Sequence, residues 1–223
     1  MNLIIDVGNT NVKFAIFSDE KLIHKEIFSN SNWPEIEMLR NEIYSMPIDQ
    51  VIFSSVSLTF EQLFPAYPQR WRIVNLSHQL KLPITIQYAT PHTLGLDRIA
   101  ALSGAAFLFP GENIFLGGNI SPGIRTRFRA LNTFTHKLPL VEPDVSFAYT
   151  GKSTASAING GVMAGIIFEV NGYIDYYKSI YRNLKIIITG GEYEFFVNYI
   201  NSPIFAEPNL VLIGLNRILE NNV

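Results

Sequence analysis

The sequence predicts an α/β protein of two related units with mixed sheets, and three observations carry that expectation. An apolar run, Leu3-Ile4-Ile5, leads through Asp6 into a polar turn and then into further β-formers as far as Phe17, which is a hairpin signature. Hairpin, helix and strand patterns alternate in both halves of the 223 residues, a length that suits one large domain or two small ones. Hydrophobic residues make up 48% and charged ones 16%, with 16 Phe, 10 Tyr and 2 Trp, so the chain can bury a substantial core and reads as ordered throughout. The break at Pro110-Gly111 divides it into units at residues 1–113 and 114–223.

Taken in order, Asn2 to Phe17 reads as strand, tight turn, strand, interrupted by Gly8-Asn9-Thr10-Asn11. A third strand follows at Leu22 to Phe28, then a helix from Trp33 to Tyr44 behind the cap candidates Ser31 and Asn32, and a buried strand at Gln50 to Ser55. Short strands are expected at Trp71 to Leu76 and Ile84 to Tyr88. Thr93 to Phe109, with Ala100, Ala101, Ala105 and Ala106, reads as a turn and a helix apolar over most of its surface. After the glycine-rich stretch Gly117 to Gly123 come a helix near Ile124 to Phe134 and a long helical region from Ser153 to Tyr181, with Gly160, Gly161, Ala164 and Gly165 at close-packing positions. A buried strand at Lys185 to Thr189, a helix from about Glu194 and a terminal helix at Asn209 to Leu219 complete the chain.

Composition excludes several classes. A formal charge of −2 leaves no electrostatic footprint for nucleic acid; the one basic cluster, Arg125, Arg127 and Arg129, is expected to be solvated or to meet another subunit. Cysteine is absent, which rules out disulfides and thiolate metal sites. Met1 runs straight into the first strand without a signal-peptide pattern, and no apolar run approaches the ~20 residues that span a bilayer. The expectation is a cytoplasmic, soluble protein with no membrane partner.

Chemistry concentrates in three places. Asp6-Val7-Gly8-Asn9-Thr10-Asn11, with Val12 and Lys13 behind it, sits between two apolar strands. A carboxylate at a strand end can hold hydrated Mg²⁺, a glycine-containing turn lets N–H groups approach phosphate oxygens, and Lys13 adds charge. An ordinary Asn/Gly turn would have the same composition but would leave Asp6 without a purpose. The second place is Tyr88 followed by Gly95, Leu96, Asp97 and Arg98 at the mouth of an apolar helix. There Asp97 is either a general base or a charge favoured by the helix dipole. The third is a series of glycine turns, Gly117-Gly118, Pro122-Gly123 and Gly190-Gly191, with Ser153-Thr154.

DVGNTN at Asp6 to Asn11, LGLDR at Leu94 to Arg98, GGNISPG at Gly117 to Gly123, STASAI at Ser153 to Ile158 and ITGG at Ile188 to Gly191 together resemble the type III pantothenate kinases, in the family's order and over nearly the whole chain. The resemblance implies an actin-like ATPase fold of two ribonuclease-H-like halves with a cleft between them. It also implies a homodimer, and ATP-dependent phosphorylation of pantothenate to 4′-phosphopantothenate, the first step of coenzyme A biosynthesis. ATP, Mg²⁺ and a monovalent cation (K⁺ or NH₄⁺) are the implied cofactors. By position, Asp6, Val7, Gly8, Asn9, Thr10, Asn11, Val12 and Lys13 match the ATP-phosphate loop, with Asp6 toward Mg²⁺ through water. Asp97 matches the general base, Tyr88, Gly95, Leu96, Asp97 and Arg98 match the pantothenate positions, and Thr154 matches one supplied across the dimer.

One departure stands out. The family carries a second acidic turn, Asp-x-Gly-Thr, just before the Gly-Gly-x-Ile-x-Pro-Gly stretch. Here Asn113-Ile114 runs straight into Phe115-Leu116-Gly117, so no monovalent-cation ligand is found. An omitted segment between 114 and 115 is expected in preference to true loss, because loss would expose strand edges and core. Two rival readings are another small-molecule kinase of the superfamily, against which Tyr88 and Leu94 to Arg98 speak, and a catalytically silent metabolite-binding or regulatory paralogue, against which Asp6, Lys13 and Asp97 speak.

Overall fold

The N-terminal hairpin forms where the alternation of β-formers and turn residues places it. In the computed structural model, which describes residues 1–111 and 113–223, β1 (Asn2–Val7) pairs antiparallel with β2 (Asn11–Ser18), and β2 with β3 (Lys21–Ser29). After α1 (Trp33–Ser45), β4 (Gln50–Ser55) returns parallel to β1, and after the one-turn α2 (Phe60–Leu63), β5 (Arg72–Asn75) lies parallel to β4. The sheet is therefore mixed, in the order β3-β2-β1-β4-β5.

Its two faces separate by the period of 2. Leu3, Ile5 and Val7 of β1 join Val12, Phe14 and Ile16 of β2 beneath Ile36, Leu39 and Ile43 of α1. Ile4 and the facing Ala15 and Phe17 lie on the other side, beneath α3 (Leu96–Leu108) and α7 (Leu210–Glu220). Those two helices pack at backbone distance. A Cβ on Gly214 would stand 1.7 Å from the Ala100 carbonyl oxygen, and one on Gly104 would stand 2.3 Å from that of Leu210. Arg217 of α7 lies over the Phe107 ring of α3, and the buried Asn216 takes a 2.8 Å hydrogen bond from Asn2.

The chain divides into two compact units, Met1–Gly117 with Asn209–Val223, and Gly118–Pro208. The terminal helix thus belongs with the first unit, and the break falls four residues beyond the 113/114 boundary read from the sequence. In the second unit α4 (Ile124–Thr133) packs on the long α5 (Thr154–Ile180) through Phe128, Ile158, Val162 and Met163. The strands there are brief: β8 (Ile187–Ile188) pairs parallel with β9 (Phe205–Ala206), with the short α6 (Tyr193–Val197) between them.

Several expectations need correction. The five-residue strand expected at Lys185 to Thr189 is only two residues long, and that at Ile84 to Tyr88 shrinks to β6 (Thr85–Ile86). Ile114 and Phe115 are consecutive residues of β7 (Ile114–Phe115), and both pair in register with β6. Near this point Ile114, Leu116 and Ile120 are exposed, Ile120 to 77%. Of the basic trio on α4, Arg125 and Arg129 are exposed, whereas Arg127 is partly buried and paired with Glu169. Gly160 already serves packing within the chain, for its Cβ would stand 2.2 Å from the Ala148 carbonyl oxygen.

Candidate active site

Register decides where Asp6 points. It follows Ile4 by two residues and so lies on the face that α3 covers, and it pairs directly across the hairpin with Lys13. The Lys13 ammonium donates to the Asp6 carboxylate at 3.4 Å. The Asp6 side chain is 13% exposed and that of Lys13 is 35% exposed. Burial pushes the Asp6 carboxyl above its ordinary value, Lys13 pulls it back in part, and the negative charge of Asp97 adds to the rise. Asp97 therefore acts electrostatically on Asp6, as expected of two carboxylates on one side of one sheet.

The turn between β1 and β2 is closed by the Gly8 N–H, which donates to the Asn11 carbonyl at 2.9 Å. Asn9, Thr10 and Asn11 are exposed at its tip. Val7 and Val12, in contrast, are fully buried in the core beneath α1, so they anchor the turn and can offer a ligand only main-chain groups. Two residues outside the motif hold it from behind. Asn30, just after β3, donates its main-chain N–H to the Thr10 carbonyl and its Nδ2 to the Gly8 carbonyl, both at 2.9 Å. Ser57 Oγ donates to the same Gly8 carbonyl at 3.3 Å. Neither Asn30 nor Ser57 was visible as a site residue in the sequence. The polar run Ser29-Asn30-Ser31-Asn32 was the available signal, and it reads first as helix capping; Asn32 does occupy the N-cap of α1, though its side chain makes no capping bond there.

The second motif reaches the same face through α3. A short 3-10 turn at Pro91–Thr93 leads to the buried Leu94, whose carbonyl meets a His78 ring nitrogen at 2.8 Å, and Gly95 then caps the helix. Asp97 is exposed in the first helical turn. Neither its carboxylate nor the Arg98 guanidinium makes a side-chain hydrogen bond or ion pair among the described residues. A Cβ on Gly95 would stand 2.5 Å from Asp97 Oδ1, so a bare N-cap is what lets that carboxylate lie back over the helix start. Tyr88 and Leu96 are half-buried, packed against the core that carries Leu94, and the Tyr88 ring lies 5.8 Å from that of Phe115.

In the second unit Thr154 is the first residue of α5, exposed behind a capping box of Ser153 and Ser156. The end of the Gly117 to Gly123 stretch is tied down by Arg127, which donates to the Pro122 carbonyl at 2.7 Å and to Ser121 Oγ at 2.8 Å. Hydrogen bonding from Ser121, then from Arg127, holds the Glu169 carboxyl below its ordinary value.

For the implied cofactors the residues present divide. A partly buried carboxylate beside an ammonium and an exposed Gly-Asn-Thr turn suit a hydrated Mg²⁺ and the phosphates it accompanies, because Mg²⁺ keeps several waters and needs few protein ligands. For a monovalent cation the second acidic turn that the family pattern implies is not present in the sequence, and the described residues hold no cluster of three or more His, Asp or Glu side chains. No helix among them is long and apolar enough to cross a membrane.

A partly buried carboxylate paired with a lysine at a glycine turn, and a second, unpaired carboxylate at a helix mouth on the same face, are groups that phosphoryl transfer can use. The comparisons specify the family. The family model described as type III pantothenate kinase matches residues 2–115 and 110–176, and the chain belongs to that family. A type III pantothenate kinase of Cytophaga hutchinsonii is 40% identical, covering 100% of both chains, and one of Phocaeicola vulgatus is 40% identical over 100% of this chain and 99% of its own. Among solved structures, a Campylobacter jejuni protein assigned to the Baf family of transcriptional activators shares the fold with a TM-score of 0.59 at 19% identity, over 98% of this chain and 97% of that one. The Cytophaga alignment runs over 242 positions against 223 residues here, so at least 19 positions of the relative have no counterpart. The two pieces of the family match meet at 110–115, where the second acidic turn was expected.

Proposed function

We propose that this chain transfers the γ-phosphoryl group of ATP to the primary hydroxyl of pantothenate, giving 4′-phosphopantothenate, the first step of coenzyme A biosynthesis. Family membership supports the substrate, and one observation supports the mechanism: Asp97 stands unpaired at the mouth of α3 on the face where Asp6 and Lys13 meet the phosphate turn. A primary alcohol does not ionise at neutral pH, so a carboxylate must take its proton as the oxygen–phosphorus bond forms. Asp97 accepts that proton, the hydroxyl oxygen attacks the γ-phosphorus, the bond to the β–γ bridging oxygen breaks, and ADP leaves. Main-chain N–H groups of the Asp6 to Lys13 loop and the Lys13 ammonium hold the phosphates. Asp6 is the residue that would hold Mg²⁺ through water, and the metal would supply charge neutralisation on the phosphate oxygens.

Tyr88, Gly95, Leu96 and Arg98 are assigned to pantothenate, with Arg98 positioned to meet its carboxylate. Thr154 is assigned to the pantothenate site of a partner protomer, which makes the active species a homodimer. An exposed aromatic stripe on α5, Phe168, Tyr173 and Tyr176, supports a surface of that kind. The sheet order of the first unit supports a ribonuclease-H-like reading of the fold. The setting is cytoplasmic. The monovalent cation has no assigned ligands here and takes no part in the mechanism.

The test is Asp97→Asn, which keeps shape and hydrogen bonding but cannot accept the proton. Phosphorylation should fall by a factor on the order of 10²–10⁴ while ATP and pantothenate still bind. If Asp97 is only a helix-start charge, the same change costs at most about 1 kcal/mol of stability and leaves the rate intact.

A further inference from the structure

We propose that Asn30 is a positioning residue of the phosphate turn, fixing its main chain so that N–H groups face the ligand. The inference rests on the reading of Asp6 to Lys13 as the ATP-phosphate loop. Asn30 lies 22 residues from Gly8 and reaches the turn from the end of β3. It grips two carbonyls at once, that of Thr10 through its main-chain N–H and that of Gly8 through Nδ2, each at 2.9 Å, while Ser57 Oγ adds a second donor to Gly8 at 3.3 Å.

Peptide planarity gives these bonds a directional consequence. The C=O and N–H of one peptide point in opposite directions, so drawing the Gly8 and Thr10 carbonyls toward Asn30 turns the N–H groups of Asn9 and Asn11 the other way. Successive N–H groups presented together from a turn make an anion-binding concavity. Without the Asn30 side chain the Gly8–Asn9 peptide loses its 2.9 Å donor and could rotate to offer its carbonyl oxygen to a phosphate instead, while the main-chain bond to Thr10 stays.

A second observation indicates that local stability alone does not account for this residue. With Nδ2 committed to Gly8, Asn30 Oδ1 is closed off from solvent and has no hydrogen-bond partner. A buried acceptor left unpaired is a net cost, so an asparagine at this place is better explained by the bond it makes to Gly8 than by the fold.

Titration calorimetry on the full chain, with MgATP and pantothenate in separate runs, tests this without requiring turnover. Asn30→Ala should weaken MgATP binding about tenfold, the size expected when one hydrogen bond to a partly buried acceptor is removed, and leave pantothenate binding within about twofold. Ser57→Ala, at an exposed residue, should weaken MgATP in the same direction but less. Should Asn30→Ala fail to fold, Ser57→Ala and its pairing with Asn30→Ser carry the test. Equal losses for both ligands, or a lowered melting temperature with unchanged MgATP affinity in both single variants, would overturn the positioning role. The parallel control is Lys13→Ala: if it leaves MgATP binding untouched, the phosphate assignment of the whole turn fails and Asn30 with it, whereas a loss at Lys13 with none at Asn30 or Ser57 overturns the Asn30 inference alone.

Discussion

Replacing Asp6 by Asn should move stability and turnover in opposite directions. At 3.4 Å and an effective dielectric constant near 20, the gross attraction between Asp6 and Lys13 is about 5 kcal/mol. Even so, the Asp6 carboxyl is held above its ordinary value, so the cost of burying its charge, with repulsion from Asp97, outweighs the attraction. The folded chain thus retains the Asp6 proton to higher pH than the unfolded chain does. The corresponding stability is fully present below the ordinary carboxylate value of 3.8 and is lost as pH rises through the raised folded value. At neutral pH the ionised Asp6 is a net burden on the fold. Asn removes that burden, and the stranded Lys13, already 35% exposed, can turn to water.

Asp6→Asn should therefore melt at the same temperature as the parent or higher at pH 7, and its stability should fall less between pH 4 and 7. Turnover should drop by about 10²–10³, the usual effect of deleting one preorganised electrostatic group. Thermal melts across a pH series, with initial rates on the same preparations, measure both. A clear loss of stability at pH 7 would show that the Lys13 pair, not burial, dominates at Asp6. An unchanged rate at ordinary Mg²⁺ would remove Asp6 from phosphate handling.

Two further outcomes are expected. Gly214→Ala forces a Cβ to 1.7 Å from the Ala100 carbonyl oxygen and 2.7 Å from the Gly104 nitrogen, both backbone atoms that cannot swing aside; α3 and α7 must part, and urea unfolding should show a loss of about 3 kcal/mol or more. Sedimentation at micromolar concentration should show a homodimer; an active monomer would contradict a pantothenate site shared between protomers.

What could be read from the sequence follows how local the causes are. The hairpin was legible because Leu3-Ile4-Ile5, the Gly8-Asn9-Thr10 turn and the run to Phe17 specify it within some sixteen neighbouring residues. The α3 helix, with its alanines, and its acidic first turn were legible for the same reason. By contrast, Lys185 to Thr189 has the composition of a buried strand, yet only Ile187 and Ile188 pair, because Phe205–Ala206 is the only partner strand β8 has among the described residues. Strand propensity expresses how well a residue fits beside a neighbour, and a sequence window does not contain the neighbour.

The same reasoning links the short strands to the missing turn. The relatives carry at least 19 positions that this chain lacks, and the family match breaks at 110–115, where β7 is only two residues long and leaves Ile114, Leu116 and Ile120 exposed. The contacts described for the first unit, the bonds from Lys13 to Asp6 and from Asn30 and Ser57 to Gly8 and the close approach of Gly214 to the helix bearing Asp97, close within Met1–Gly117 and Asn209–Val223. The residues proposed for phosphate gripping and proton acceptance therefore all lie within Met1–Gly117, clear of the 110–115 junction.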